Sequence, residues 1–198
     1  FAAAGSATIN YVNVLDQPLV SVSAGGQGWG RIFGAASQKL GPGNMLVALE
    51  LGKNNGPWTV PDDMRKINGV VRYSQGDQRN GFSITAMGYS ANWHATDQVP
   101  QRAITQGLIP RLGAIDQTDA GRSLRYSLAF DLLDSHQNHT TRVTAYTVRG
   151  GLNLFQNFTY FLNNPVNGDQ IEQEGRRWTS GGHVKHRRLN RIFNRSIE

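Results

Sequence analysis

Apolar and polar side chains alternate along most of this chain with a period of two residues, which is typical of β-strands with two different faces. In "SLRYSLAFDLL" the apolar residues lie on one face, and these are Leu124, Tyr126, Leu128, Phe130 and Leu132. The opposite face carries Ser123, Arg125, Ser127, Ala129 and Asp131. "NMLVALELGK" repeats the pattern, with Met45, Val47, Leu49 and Leu51 opposite Asn44, Ala48, Glu50 and Gly52. Helices are not indicated, because Gly, Asn, Ser and Thr interrupt every candidate.

The same alternation predicts further strands at 19–26, 29–37, 65–74, 81–91, 139–149, 151–161 and 177–187. Segments 139–149 and 151–161 fit one long strand kinked at Gly150-Gly151. Three connections are short and turn-like: "QKLGPG", "SQGDQRNG" and "LDSHQN". Residues 53–63, 93–120 and 162–176 form long loops. Short turns at one end and long loops at the other are typical of an up-and-down membrane β-barrel, whereas a soluble sandwich usually mixes loop lengths.

Composition narrows the class of protein. The chain has 198 residues, of which 38% are hydrophobic and 17% charged, and this balance argues against disorder and against a helical membrane protein. Cysteine is absent, which excludes disulfides, thiolate metal sites and cysteine nucleophiles. The net charge of +6 is concentrated in the C-terminal "EGRRWTSGGHVKHRRLNRIFNR". Strands of roughly 10 residues are longer than the usual 5–6 of soluble sheets.

Beginning at "NNGPWTVPDDMRKINGVVRYSQGDQRNGFSITAMGYSANWHATDQVPQRAI", the sequence resembles the early barrel of TonB-dependent outer-membrane receptors of Gram-negative bacteria. The loop "GPW…PDD.RK.N", the strand "VRYS" and the strand that ends in "W.ATDQ.P.RAI" carry the resemblance. The later "NFTYFLNNPVNGDQIEQ" and "GRRWTSGG" look like that family's hairpin and next strand. The opening "FAAAGSATINYV" is similar to the segment where the family's plug ends and its barrel begins.

The resemblance implies an all-β, antiparallel up-and-down sheet that is part of a transmembrane barrel of about 22 strands. Residues 1–15 are then the end of the plug, and residues 16–198 an incomplete N-terminal part of the barrel. The family's N-terminal TonB box, most of the plug and the C-terminal strand are expected to be missing. The implied function is energy-coupled uptake of a scarce, large solute such as a ferric siderophore, cobalamin or oligosaccharide, without enzymatic activity or a cofactor.

The implied location is the Gram-negative outer membrane. The implied partners are TonB through the missing box, an extracellular small molecule or metal chelate, and outer-membrane lipid and lipopolysaccharide. A passive porin or small outer-membrane barrel is one alternative. A soluble all-β module that binds carbohydrate or nucleic acid is another. The basic stretch "GGHVKHRR" is the best argument for nucleic acid, but few aromatic residues are interleaved with it, and no nucleic-acid partner is predicted.

Charged residues within the strands are expected to face a water-filled lumen, because an Arg in lipid costs about 2–4 kcal/mol at the midplane. There they would pair with one another or with the plug. These residues are Arg31, Glu50, Arg72, Arg125, Asp131 and Arg142. A further set shares one face of the strand at 177–187: Arg177, Thr179, Gly181, His183 and Lys185. Aromatic residues near strand ends fit interfacial girdles: Trp58, Tyr73, Tyr89, Trp93, Tyr160 and Trp178.

The long loops supply the candidate ligand-binding residues: Trp58, Trp93, His94, Asp97, Gln98 and Arg102. Trp offers a stacking surface, and the polar side chains offer hydrogen bonds. A purely structural role of Asp97 and Arg102, in tying the loop down, remains an alternative. Catalysis is not predicted, because no serine lies in a Gly-x-Ser-x-Gly turn that would support the His94–Asp97 pair.

The histidines of "DSHQNH" have a spacing that could bind a metal. His136 and His139 lie at a predicted two-strand turn after Asp134, with no third strong ligand nearby. A solvated turn is therefore favoured, and no metal site is predicted.

Overall fold

The computed structural model describes residues 11–77, 79–96, 98–192 and 195–197, with side chains described as far as residue 189. In this part of the chain, eight strands form one antiparallel sheet, and each strand pairs with the next in sequence. The strands are β1 (Leu19–Ala24), β2 (Gly30–Leu40), β3 (Gly43–Asn54), β4 (Met64–Gly76), β5 (Asn80–His94), β6 (Ala120–Ser135), β7 (His139–Gln156) and β8 (Ile171–Arg188). A separate hairpin joins β9 (Asn190–Ile192) to β10 (Arg195–Ile197). The predicted antiparallel up-and-down sheet is confirmed, and it is unclosed, because β1 and β8 do not pair with each other.

The strands follow the predicted ones but extend further at several ends. β7 runs without interruption through Gly150 and Gly151, which pair with Arg125 and Leu124, so the interpretation as one strand is confirmed. It ends at Gln156, before the predicted residue 161. β8 begins at Ile171, six residues before the predicted start. Its first residues show no apolar alternation, and backbone pairing with β7 makes them part of the strand.

The connections alternate in length, as predicted. The connections at 41–42, 77–79 and 136–138 are short and lie at one end of the sheet, the short-turn end. Residues 25–29, 55–63, 95–119 and 157–170 connect strands at the other end, the long-loop end. At the short-turn end Gly76 adopts a φ of +94°, and a Cβ there would collide with the backbone of Asn80 and Gly81. Only glycine fits this turn.

The register determines which side chains share a face, because directly opposed residues of an antiparallel pair point the same way. One row across the sheet joins Ser37, Leu46, Arg72, Thr85, Ala129 and Tyr146. All six predicted strand charges lie on this face, which we call the polar face, and so does the β8 set from Arg177 to Lys185. The prediction that these charges share one face is confirmed.

The opposite face, which we call the apolar face, is exposed. Its exposed large side chains include Val20, Val22, Ile32, Val47, Leu49, Leu51, Ile67, Val71, Ile84, Tyr126 and Leu128. Among residues with described side chains, only two hydrophobic ones, Leu46 and Ala91, are buried. The sheet therefore has no conventional apolar core between two layers.

Some aromatic residues lie on the face opposite to that required for a lipid-facing girdle. Tyr89 pairs with Arg125 and Trp93 pairs with Gly121, so both point to the polar face, and their predicted place in a girdle is wrong. The sequence indicated that these aromatic residues lie near the end of a strand. Which face they occupy depends on the alternation of side chains along the strand, and they alternate with the residues that point to the apolar face. Trp178 lies on the apolar face, where the guanidinium of Arg149 sits 5.7 Å from its ring centre.

Residues 11–18 lie across the polar face. The amide of Leu15 donates to Ser37 Oγ at 2.8 Å, and this hydroxyl donates back to the Leu15 carbonyl at 3.1 Å. Arg72 donates to Asn13 Oδ1 and to Thr85 Oγ1, and its side chain is only 8% exposed. The segment thus helps to bury the charge of Arg72, which one sheet layer alone could not bury. The predicted boundary between residues 15 and 16 stays a prediction.

Candidate functional site

The four connections at the long-loop end form one hydrogen-bonded layer. The amide of Asn55 donates to the Gln27 carbonyl at 3.0 Å, which joins the first two connections. The amide of Thr59 donates to the Leu112 carbonyl at 2.9 Å, which joins the second connection to the third. Since long loops lose conformational entropy when they become ordered, these cross-loop contacts favour one defined surface.

The fourth connection is attached to the third through buried polar groups. Asn157 and Asp119 are each only 1% exposed. The Asn157 amide donates to Asp116 Oδ2 at 2.9 Å, and the Gln170 amide donates to Asp119 Oδ1 at 2.9 Å. Burial acts to raise the pKa of Asp116, but hydrogen bonds from Asn157 and Thr118 outweigh it, so this pKa lies below its usual value. The Asp116 carboxylate therefore stays charged and acts as a fixed acceptor between the two loops.

Two of the predicted ligand residues meet around an aspartate that the sequence did not single out. The indole of Trp58 hydrogen-bonds the side chain of Asp62, and the carbonyl of Asp62 accepts from the His94 amide at 2.7 Å. Burial raises the pKa of Asp62 above its usual value, and the hydrogen bond from Trp58 and the charge of His94 oppose this shift. A half-buried carboxyl between an indole and an imidazole can accept or donate hydrogen bonds to a ligand.

Trp93 and His94 belong to β5 rather than to the loop predicted at 93–120. They pair with Gly121 and Ala120, so the ladder continues to the end of the strand. The indole of Trp93 lies against Gly121, where any Cβ would collide with the ring. His94 is exposed. The geometry gives Trp93 a packing role on the polar face and leaves His94 beside Asp62 and Trp58.

The remaining predicted residues lie elsewhere in the 95–119 connection. Tyr160 donates its hydroxyl to the backbone carbonyl of Gln98. Arg102 is exposed on α1 (Gln101–Thr105), a helix too short to be seen in the hydrophobic pattern. Asp97 lies outside the described residues. The structure therefore brings Trp58 and His94 together around Asp62, whereas Gln98 contacts Tyr160 and Arg102 belongs to α1.

A single aspartate organises the 157–170 connection. The Asp169 carboxylate accepts from the amides of Asn163 and Asn164, at 2.9 and 2.7 Å, and from the Thr159 hydroxyl at 2.7 Å. The amide of Asn163 contributes most to lowering the pKa of Asp169, followed by Thr159 and Asn164. A charged Asp169 thus holds the loop in one shape, and with it the exposed apolar side chains of Phe161, Leu162 and Val166.

A group of three side chains that could share a metal ion lies at the short-turn end. Among the side chains that the structure describes, it is the only group of three or more His, Cys, Asp or Glu that are close enough, and it lies around the 136–138 turn. The described part of the long-loop end offers aromatic rings, carboxylates and amides, which are groups that commonly line sites for organic ligands.

No helix in the described part of the chain has the length and hydropathy needed to cross a membrane. Comparison of the chain with protein-family models, with curated proteins and with solved structures finds no match.

Proposed function

We propose that this chain is part of an outer-membrane β-barrel that captures an extracellular solute, as TonB-dependent receptors do. The observation that carries the proposal is the exposed apolar face, opposite a face that carries six strand charges. In a barrel of this kind the outward side chains meet lipid and the inward side chains meet water, with alternation along every strand.

The apolar face is bounded by polar residues at both ends. Along β6 it runs from Leu124 to Leu132, which is about 27 Å at about 3.4 Å per residue. A tilt of about 40° reduces its height to about 20 Å, close to the apolar band of about 25 Å in such barrels. Beyond the band on the same face lie Lys53, Arg65, Asn92 and Arg122 at the long-loop end, and Gln75, Asn80 and Asp134 at the short-turn end.

Arg149 and Arg176 are the exceptions on the apolar face, at the levels of Tyr126 and Leu124. The Arg149 guanidinium lies over the Trp178 ring, and cation–π contact together with a flexible side chain reduces the cost of a charge near the edge of the band. Arg176 lies at the long-loop edge of the band, where it forms an ion pair with Glu174. The rest of the face from β3 to β6 carries no charge between its polar borders.

The polar face supports an aqueous interior. Arg31 and Glu50 form an ion pair at 2.9 Å, and Lys66 contacts the same carboxylate. Asp131 accepts from the Thr144 hydroxyl at 3.2 Å. Such half-exposed charges are stable facing water, and residues 11–18 lie on this side as a plug segment would.

The edge strands also favour a larger sheet. β8 has 18 residues, and nearly all of them are exposed. A long edge strand with free hydrogen-bonding groups promotes aggregation unless another strand pairs with it. A continued barrel supplies such a partner.

A soluble module is the competing proposal. It would require a second layer of protein over the apolar face, and the intact protein would then fold in buffer without detergent or lipid. The barrel proposal expects folding only in detergent micelles or bilayers, with a folded form that migrates differently from the heated form on a gel. Cooperative folding in buffer alone would contradict it.

Orientation is testable because the chain contains no cysteine. Val166, 85% exposed in the 157–170 connection, and Gln137, in the 136–138 turn, are suitable positions for single substitutions. In intact cells a membrane-impermeant maleimide should label Val166→Cys, and should label Gln137→Cys only after the outer membrane is permeabilised. The reverse pattern would overturn the assignment of the long loops to the outside.

The Trp58–Asp62–His94 group is the proposed ligand contact. Trp58→Ala and His94→Ala should each lower uptake of the transported solute while the amount of protein in the outer membrane stays normal. Candidate solutes are ferric siderophores, cobalamin and oligosaccharides, which can be screened by growth of a deletion strain carrying each variant. Gln137→Ala, at the short-turn end, is the matched control and should support normal growth. Normal uptake by both loop variants would exclude this group as the contact.

A further inference from the structure

The turn between β6 and β7 brings three metal-ligating side chains together. One ligand atom from each of Asp134, His136 and His139 lies within 4.8 Å of the others. His136 Nδ1 is 3.2 Å from Asp134 Oδ1, and His139 Nε2 is 3.6 Å from Asp134 Oδ2. Spacing along the sequence favoured a solvated turn, but it could not show that both rings direct a nitrogen at the same carboxylate.

The hairpin backbone fixes this arrangement. The ladder between β6 and β7 continues to the pair Ser135–Thr140, and the amide of His136 then donates to the His139 carbonyl at 2.8 Å. Asp134, His136 and His139 consequently project from the same face. The two imidazole rings stack with their centres 4.8 Å apart and their planes 15° apart.

A hydrogen bond determines which nitrogen of His139 is available. His139 Nδ1 lies 3.1 Å from Asn138 Oδ1, an oxygen that can only accept, so Nδ1 carries the proton. Nε2, the other ring nitrogen, faces the Asp134 carboxylate at 3.6 Å and is the atom directed at the proposed ion. Orientation of a ligating histidine by a hydrogen bond on its other nitrogen is a regular feature of metal sites.

We propose that Asp134, His136 and His139 bind a divalent transition-metal ion such as Zn²⁺, Cu²⁺ or Ni²⁺. Imidazole nitrogen suits these ions, and a carboxylate oxygen completes a three-residue site whose remaining positions are left to water. Bonds of about 2.0–2.1 Å in tetrahedral geometry place ligand atoms about 3.4 Å apart. Both His–Asp distances are close to this value, although they end on different oxygens of the Asp134 carboxylate, which would turn to present one oxygen to the ion. The wider separation within the group closes by rotation of His136, whose side chain is 59% exposed.

The surroundings define how strong the site is. The His186 ring lies 6.0 Å from that of His139, and its Nδ1 is 2.9 Å from Thr141 Oγ1, so a third imidazole borders the site. Arg188 pairs with His139 across the β7–β8 ladder and places a positive charge nearby. A single carboxylate with a neighbouring Arg favours reversible binding rather than a permanent structural ion. This inference is independent of the proposed function.

The test uses the intact, folded protein without a polyhistidine tag, freed of metal with EDTA. Titration with Zn²⁺ by calorimetry should show one saturable site. With Cu²⁺, electron paramagnetic resonance should show hyperfine coupling to imidazole nitrogen. His136→Ala and Asp134→Asn should each weaken Zn²⁺ binding by at least about tenfold. His183→Ala, on the opposite face of β8, is the matched control and should bind as the unmodified protein does.

Absence of saturable Zn²⁺ binding would overturn the proposal. Equal affinity in the unmodified protein and in His136→Ala would overturn it as well, because the ion would lie elsewhere. Asp134→Asn preserves the shape of the side chain and keeps the test valid if removal of an imidazole disturbs the turn.

Discussion

Asn13 Oδ1 accepts two hydrogen bonds from the guanidinium of Arg72, from Nη2 at 2.9 Å and from Nε at 3.0 Å. The two residues are 59 positions apart in the chain. This contact connects the segment that crosses the polar face to the middle of β4. It provides a hydrogen-bond acceptor for the Arg72 guanidinium, which is buried between the sheet and residues 11–18.

Asn13→Ala is expected to lower the free energy of unfolding by about 1.5–3 kcal/mol, because a buried charged donor loses its acceptor. Unfolding in urea, followed in the medium in which the protein folds, measures this change. Asn13→Asp retains an acceptor oxygen and should be close to the unmodified protein. Asp16→Ala, an exposed change in the same segment, is the control. If Asn13→Ala and Asp16→Ala were equally stable, the contact would have no energetic role.

Neighbouring residues of β6 should respond in opposite ways to a charge. Leu128 is 49% exposed on the apolar face, and Ser127 points to the polar face. Leu128→Arg should abolish assembly into the membrane, at a cost of about 2–4 kcal/mol near the midplane, whereas Ser127→Arg should be tolerated. Heat-dependent mobility on a gel reports the folded fraction of each variant. Equal damage from both would contradict the assignment of faces.

Gly121 should tolerate no side chain. Gly121→Val would drive a methyl group into the Trp93 ring and should destabilise the protein by about 1–3 kcal/mol through overpacking. Gly150→Val is the matched control, because Gly150 lies on the same face, in β7, with open space around its Cβ position. The pair is compared by urea unfolding. A larger loss for Gly150→Val would show that backbone freedom, rather than contact with Trp93, explains the glycines.

The 157–170 connection should loosen in acid. The pKa of Asp169 is lowered in the folded protein, so its contribution is present above the usual carboxyl pKa of about 4 and is lost as the pH falls through the lower folded value. Protection factors of the Asn163 and Asn164 amides, measured by hydrogen exchange, should decrease across that range. Asp169→Asn should give weaker protection at neutral pH and no such transition. An acid-induced change of the same size in Asp169→Asn would assign it to another group.

Much of the sheet was predictable because its two faces carry different kinds of side chain. The alternation in β6 identified both faces of that strand. Arg72 and Arg125 were expected to share the polar face because both are charged, and the register places them there. The start of β8 was not predictable, because residues 172–176 carry no apolar side chain on either face and are ordered by pairing with β7.

The candidate site was predicted only in part. Trp58 and His94 were recognisable by residue type, but Asp62 became visible only through the hydrogen bonds between connections. The three-residue group at the 136–138 turn depended likewise on ring orientation, which spacing does not encode. Loop contacts of this kind lack a sequence period, so folding of the whole sheet has to bring them together.

The ladder from β2 to β7 pairs residue by residue without a gap or an inserted residue. In such a sheet a shift of one strand by a single position would exchange its polar and apolar faces along its whole length. A mispaired strand is therefore penalised at every residue pair at once instead of at one point. The alternation thus specifies a single register for the whole sheet.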